Sequence, residues 1–441
     1  MMLCKTSTSV YDIALRQNKF LIAGWPMKTI LSFAFYLLLS SVAFAQKTPV
    51  LFQKVRVFDG TKVIPETDVL IEGGKIKEIG PNLSVGNSRV VDGTGKTLLP
   101  GLIDGHVHVH GADTLEQALI FGVTTELDMM MQPRMEAQLK ATASDNRASF
   151  FSAGFPATAP GGHGTEYGFN VPTLVKPQAA EGFVEDRIRE GSDYIKLMYT
   201  AGVDTGRMRP RPTLSRETLA AVIAAAHKHQ KLAVVHIGSE SGARDAIEAG
   251  ADGLAHLFRG TSSSRDFGEF VAAHHAFVIP TLSVMHAVCG PESAGSRLIK
   301  DPELAPYLNH ESIDRLKETF PSARLGIFSC NAASEALRQL RDAHALIVAG
   351  TDAPNPGTTY GASLHGELEM YVEAGLTPVE ALTTATSAPV QAFHIPDRGR
   401  IAPGLRADLL LVNGHPDEDI KATRNIDSIY KNGVKLDRKR R

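Results

Sequence analysis

A chain of 441 residues with 43% hydrophobic and 21% charged residues is neither disordered, collagen-like nor a coiled coil. Its formal net charge of −2 gives no general attraction to nucleic acid or to an anionic membrane. Three Cys exclude a disulfide-built scaffold, whereas sixteen His supply ample metal ligands and proton carriers.

The first segment to set aside is N-terminal. From Met27 the chain reads MKTILSFAFYLLLSSVAFA. Lys28 is a short positive start, Ile30 to Leu39 an apolar core, and Ala43-Phe44-Ala45 a small-x-small cleavage pattern. The apolar run is shorter than the roughly 18–20 residues that span a bilayer. The expectation is an export signal cleaved after Ala45, leaving no stable membrane anchor. Residues 1–26 then form an upstream extension that carries Trp25, the single Trp of the chain. The mature protein would be periplasmic or secreted. There Cys289 and Cys330 are open to two readings, a disulfide or two free buried thiols.

Residues 46–100 follow hairpin grammar. Val50–Phe52, Val55–Phe58, Asp68–Ile71 and the alternating Lys75–Ile79 are punctuated by Asp59-Gly60, Gly73-Gly74 and Gly80-Pro81. Residues 396–441 read alike, with Ala407–Val412, Ile426–Val434 and an Asn432-Gly433 turn. Together the two ends are expected to build one small β-sandwich.

Residues 101–395 alternate apolar strands with helices. The strands are expected at Gly101–Val109, Val123–Met129, Ser149–Ala157, Tyr194–Tyr199, Leu232–Ile237, Gly253–Phe258, Phe277–Leu282 and Leu346–Thr351. Helices are expected over Arg216–Gln230 behind a Ser215 cap, over Ser239–Glu248 and over Ala332–Ala343. A further helix should start at Thr377-Pro378-Val379-Glu380, which combines a capping box with Pro at the first helical position. Eight such alternations place the chain in the α/β class as a (β/α)8 TIM barrel, with an open doubly wound sheet as the alternative.

In a barrel the chemistry gathers at the C-terminal strand ends. The first strand ends Asp104-Gly105-His106-Val107-His108. Two His at i and i+2 share one side of a strand and can grip one metal. Lys196 lies in the fourth strand, His236 ends the fifth, His256 the sixth, and Asp352 the eighth in Gly350-Thr351-Asp352-Ala353. Singly, each is a rim or core residue. Six at the same end of five strands indicate a metal centre.

These motifs, with Leu98-Leu99-Pro100-Gly101-Leu102-Ile103-Asp104 before the first strand and Gly404-Leu405-Arg406-Ala407-Asp408-Leu409 after the barrel, resemble the amidohydrolase superfamily. The likeness is to its two-metal branch, which includes Xaa-Pro dipeptidases and ochratoxin amidases. It implies that His106, His108 and Asp352 hold one divalent cation, that His236 and His256 hold a second, and that a carboxylated Lys196 bridges the two. Zinc suits this ligand set. It further implies that the metals acidify a water and that Asp352 carries its proton to the leaving amine.

Candidate substrate contacts are His163 in Pro160-Gly161-Gly162-His163-Gly164, Tyr199, Arg207, Arg209 and Arg211 in a Pro-stiffened loop, Arg259, and His365. Alternating Arg residues suit a carboxylate clamp. The expected enzyme cleaves an amide or peptide bond of a small carboxylate-bearing substrate: a dipeptide, an N-acyl amino acid or an ochratoxin-like amide. The alternatives are a mononuclear imidazolonepropionase- or deaminase-like hydrolase, a lactone or phosphotriester hydrolase, and a non-catalytic metal-binding protein. A homo-oligomer is compatible with each.

Overall fold

The computed structural model describes residues 48–84, 86–202, 210–290, 295–326 and 328–440. The expected signal and its upstream extension lie outside them. No described helix is long and apolar enough to cross a membrane.

The described residues start with five strands: β1 (Val50–Phe58), β2 (Val63–Glu72), β3 (Lys75–Gly80), β4 (Arg89–Asp92) and β5 (Lys96–Pro100). They end with three: β14 (Leu409–Asn413), β15 (Ile426–Lys431) and β16 (Val434–Lys435). All eight join one mixed sheet in the order β16-β15-β14-β5-β1-β2-β3, with β4 alongside β1. The two ends meet where β14 runs antiparallel to β5, pairing Leu411 with Leu98 and Leu410 with Leu99. Alternation along this seam serves two cores. Leu98, Leu409 and Leu411 pack with Val57, Ile71 and Tyr430 inside the terminal region. Leu99, Leu410 and Val412 point the other way, into the large central core.

Between these ends lie eight parallel strands: β6 (Leu102–Val107), β7 (Val123–Asp128), β8 (Ser149–Ser152), β9 (Ile195–Met198), β10 (Ala233–His236), β11 (Gly253–Ala255), β12 (Phe277–Ile279) and β13 (Leu346–Ile347). Every residue of β6, β7 and β9 is buried, as expected of parallel strands covered on both faces. They form two sheets, β6-β7-β8 and β13-β12-β11-β10-β9. Isolated parallel bridges tie the sheets at both edges, Val107 with Ala353 and Ala157 with Leu197. Two glycines permit the first of these junctions. A Cβ on Gly105 would stand 2.4 Å from Val348 and 2.8 Å from the Ala349 carbonyl, and one on Gly350 would stand 2.9 Å from the His106 amide.

The expected helices form under the expected signals. Ser215 caps Arg216–Lys228, Ser239 caps Glu240–Glu248, and Thr377 with Glu380 makes a complete capping box. The central strands are all shorter than expected: the third ends at Ser152 rather than Ala157, the sixth at Ala255 rather than Phe258 and the eighth at Ile347 rather than Thr351. The seventh central strand stops at Ile279 because Thr281 takes a left-handed backbone, with φ 51°, and Leu282 opens a helix to Cys289. Cys289 is disulfide-bonded to Cys330, which resolves the two open readings in favour of the bridge.

Candidate metal centre

Six polar side chains converge where the parallel strands end. His106 and His108 leave β6 on one face, Lys196 leaves β9, His236 closes β10, His256 follows β11, and Asp352 follows β13. All six line one cavity of about 350 Å³. Asp352 Oδ1 lies 3.0 Å from His108 Nε2 and 3.3 Å from His106 Nε2. The rings of His106 and His256 are 4.7 Å apart between centroids, and those of His236 and His256 4.6 Å. His256 (φ 75°) and Asp352 (φ 58°) hold left-handed backbone conformations that few non-glycine residues adopt. Such strain persists only where surrounding structure enforces it.

The electrostatics suit cations. Burial holds the His106 and His236 imidazoles well below their ordinary range and His256 down at about 3. All three are therefore neutral at pH 7, with lone pairs to give. Burial opposes ionisation of Asp352, but His108, His256 and Lys196 together hold its carboxyl below the usual value. Burial lowers the Lys196 amine to about 7. Its Nζ is fully enclosed and has no hydrogen-bond partner among the described residues. The same is true of His106 Nδ1. Buried polar atoms are normally satisfied. Two such orphans beside imidazole nitrogens and a carboxylate belong to a donor set that a divalent cation would complete.

Other groups hold these in place. Asp104 accepts from the His106 and Thr351 amides and from the Thr351 hydroxyl, clamping β6 to the segment before Asp352. Thr281 Oγ1 lies 2.7 Å from His256 Nδ1.

Above the six, His163 lines the cavity with its ring centroid 4.6 Å from that of His236. Its Nδ1 is 2.8 Å from Glu166, which also pairs with Arg211 at 2.6 Å. Burial would raise the Glu166 carboxyl, but His163 and Arg211 bring it down to about 2. Arg211 therefore meets a carboxylate of its own chain. Arg259 lines the cavity with its guanidinium 3.9 Å over the Phe328 ring. Val284, Met285, Val288 and Phe320 form an apolar wall.

Two expected contacts are corrected. Tyr199 does not line the cavity; its hydroxyl donates to Asp245 at 2.8 Å. Lys196 and Met198 take the inward positions, so strand parity turns Tyr199 away. His365 is buried in a helix, bonded to Thr423 and to the Phe121 carbonyl. Arg207 and Arg209 lie outside the described residues. Glu166, Thr281 and the apolar wall were missed. Glu166 sits three residues after His163 in a loop, and Thr281 lies two residues beyond the end of its strand, so strand-end spacing points to neither.

Residues 97–436 match the Amidohydrolase family, and the chain belongs to it. It is a hydrolase of amide C–N bonds. An imidazolonepropionase of Deinococcus radiodurans is 25% identical over 382 residues, spanning 82% of this chain and 89% of that protein. One from Cereibacter sphaeroides is 27% identical over 394 residues, spanning 82% and 92%. Among solved structures, a Xaa-Pro dipeptidase with bound methionine in its active site has a TM-score of 0.69 at 23% identity, covering 88% of this chain and 100% of that one. A. niger ochratoxinase has a TM-score of 0.67 at 18% identity, covering 88% and 95%. At these identities the two structures speak to fold alone.

Proposed function

We propose that the protein is a two-metal hydrolase of a dipeptide, an N-acyl amino acid or an ochratoxin-like amide with a free carboxylate. One observation carries this reading: Lys196, enclosed and without a hydrogen-bond partner among the described residues, stands in a wall of imidazoles. An ammonium there would repel cations. A neutral amine can add to CO2, release a proton and become a carbamate with two ligand oxygens. Lys196 in that form would lie between a cation on His106, His108 and Asp352 and one on His236 and His256. The cations, zinc by the ligand set, would supply Lewis acidity and an acidified water.

The remaining work falls to the chain. Asp352 accepts the proton of the attacking water and returns it to the leaving nitrogen. Glu166 fixes the His163 ring at Nδ1, leaving Nε2 for the substrate carbonyl. Arg259, braced on Phe328, meets the substrate carboxylate, and the wall of Val284, Met285, Val288 and Phe320 takes an apolar side chain. The bridged sheets are read as the (β/α)8 barrel and the terminal sheet, folded around its own core, as the small sandwich. The Cys289–Cys330 bridge supports export to an oxidising compartment. Cleavage after Ala45 would leave a secreted or periplasmic form without Trp fluorescence.

Metal analysis, NMR after labelled-bicarbonate loading and a substrate screen test the proposal. Two ions per chain, a carbamate signal absent in Lys196→Ala, and release of amino acids from dipeptides or N-acyl amino acids are expected. The likeness to imidazolonepropionases favours a second reading, ring-opening of a cyclic amide at one metal. One ion, unmodified Lys196 and imidazolone hydrolysis would replace the first reading with the second. Turnover of phosphotriesters or lactones alone would remove both.

A further inference from the structure

We infer that Thr281 and Glu367 act together as positioning residues for His256, Thr281 giving up the capping of its own helix to hold the imidazole while Glu367 caps that helix in its place. This rests on the reading of His256 as a metal ligand.

A helix normally starts behind a Ser, Thr, Asp or Asn whose side chain accepts from the second or third helical amide. Thr281 is such a residue, immediately before Leu282–Cys289, yet its side chain makes no cap. Its backbone is left-handed, which is costly for a β-branched residue. That conformation brings Oγ1 to 2.7 Å from His256 Nδ1. The helix amides left over go to Glu367, a fully buried residue of the helix Ala362–Glu373. Its carboxylate accepts from the Leu282 amide at 2.6 Å, the Ser283 amide at 2.7 Å and the Ser283 hydroxyl at 2.6 Å. A charged side chain buried so fully needs such partners. His256 is pinned from its backbone as well, its amide donating to the Ile279 carbonyl at 2.8 Å.

The consequence we draw is one preferred tautomer: ligation through Nε2 needs the ring proton on Nδ1, where Thr281 Oγ1, 2.7 Å away, is placed to accept it and leave the Nε2 lone pair for the cavity. The other tautomer would present an N–H where a cation is to bind. Partners of this kind are worth about 10–100-fold in metal affinity.

The test uses the full chain with Thr281→Val, which keeps the shape and loses the hydroxyl, Thr281→Ser, which keeps the hydroxyl, and Glu367→Gln, at a residue that does not line the cavity. Nitrogen NMR of the metal-free proteins reads the His256 tautomer, and zinc titration against a competing chelator reads affinity. Wild type and Thr281→Ser should show protonated Nδ1. Thr281→Val should show mixed tautomers and weaken the second zinc by about 10–100-fold. Glu367→Gln should move both readouts the same way by less. A wild-type tautomer and wild-type zinc binding in Thr281→Val would overturn the inference. The ligand assignment has its own test: His256→Ala still binding two zinc ions would refute it, while the metal-free tautomer judges the hydrogen bond regardless.

Discussion

The floor and the side wall of the cavity are built on different principles. The floor is His106, His108, Lys196, His236, His256 and Asp352, all within the parallel strands or in the backbone that continues from their C-terminal ends. Ladder hydrogen bonds fix those positions, down to Asp352 donating its amide to the His106 carbonyl at 2.8 Å. The wall is Val284, Met285 and Val288 on one helix, Phe320 in a loop, and Arg211 and Arg259 in others. It is held by side chains: Arg211 on Glu166, Arg259 on Phe328, and Cys289 on Cys330. Backbone-fixed groups suit bond breaking, where small displacements are costly. Tertiary-held groups suit recognition, which can vary while the chemistry stays. Damage to the floor should therefore appear in kcat, and damage to the wall in KM.

The sharpest break is Asp352→Asn. The amide keeps the shape but cannot take a proton, so kcat should fall by about 10²–10⁴-fold with metal still bound. A rise in KM with kcat unchanged would dissolve the distinction between floor and wall.

His163 sits where the two regions meet. His163→Asn should lower kcat by about 10²-fold if its Nε2 meets the scissile carbonyl. If KM alone rises, His163 belongs with the wall.

Reduction of Cys289–Cys330 tests the wall directly. The bridge closes a separation of 41 residues and anchors the end of the helix that carries Val284, Met285 and Val288. Its loss should cost about 2–4 kcal/mol of stability. KM should rise by about five-fold with kcat within about two-fold, the pattern of lost uniform binding. The double variant Cys289→Ser with Cys330→Ser should match the reduced protein in steady-state kinetics; a fall in kcat with unchanged KM would show that the helix serves the floor.

The same contrast explains what could be read in advance. The floor was legible because period-two geometry and strand ends are local facts: His106 and His108 share a face by spacing alone. The parity rule also excludes Tyr199, three residues beyond Lys196 and so on the opposite face. The capping box at Thr377 was legible for the same local reason. The wall was not. Val284, Met285 and Val288 read as core helix in any sequence, and only the tertiary arrangement turns them to the cavity. His365 looked available because a polar residue near a helix start is usually exposed, yet Phe121 and Thr423 enclose it. Glu367 would be read as solvated, and it is fully buried.

Glu367 supplies the smallest effect and the finest test, because it grips the helix that bears the wall at the point where that helix abuts the floor. Burial raises its carboxyl from 4.5 to about 7, against the bonds from Ser283 and Leu282 that favour the charged form. A carboxyl raised on folding is bound to its proton more tightly in the folded state. Its contribution to stability is therefore full below about pH 4.5 and lost as pH rises through about 7. Glu367→Gln cannot titrate and lacks this dependence. The melting temperature of the metal-free wild type relative to that of Glu367→Gln should then decline by roughly 1–3 °C across that window. Metal must be absent, since ligands that bind only the folded state shift melting on their own. Parallel melting curves for the two proteins across the window would mean that the carboxylate is not desolvated on folding, and the joint between floor and wall would be looser than its three hydrogen bonds indicate.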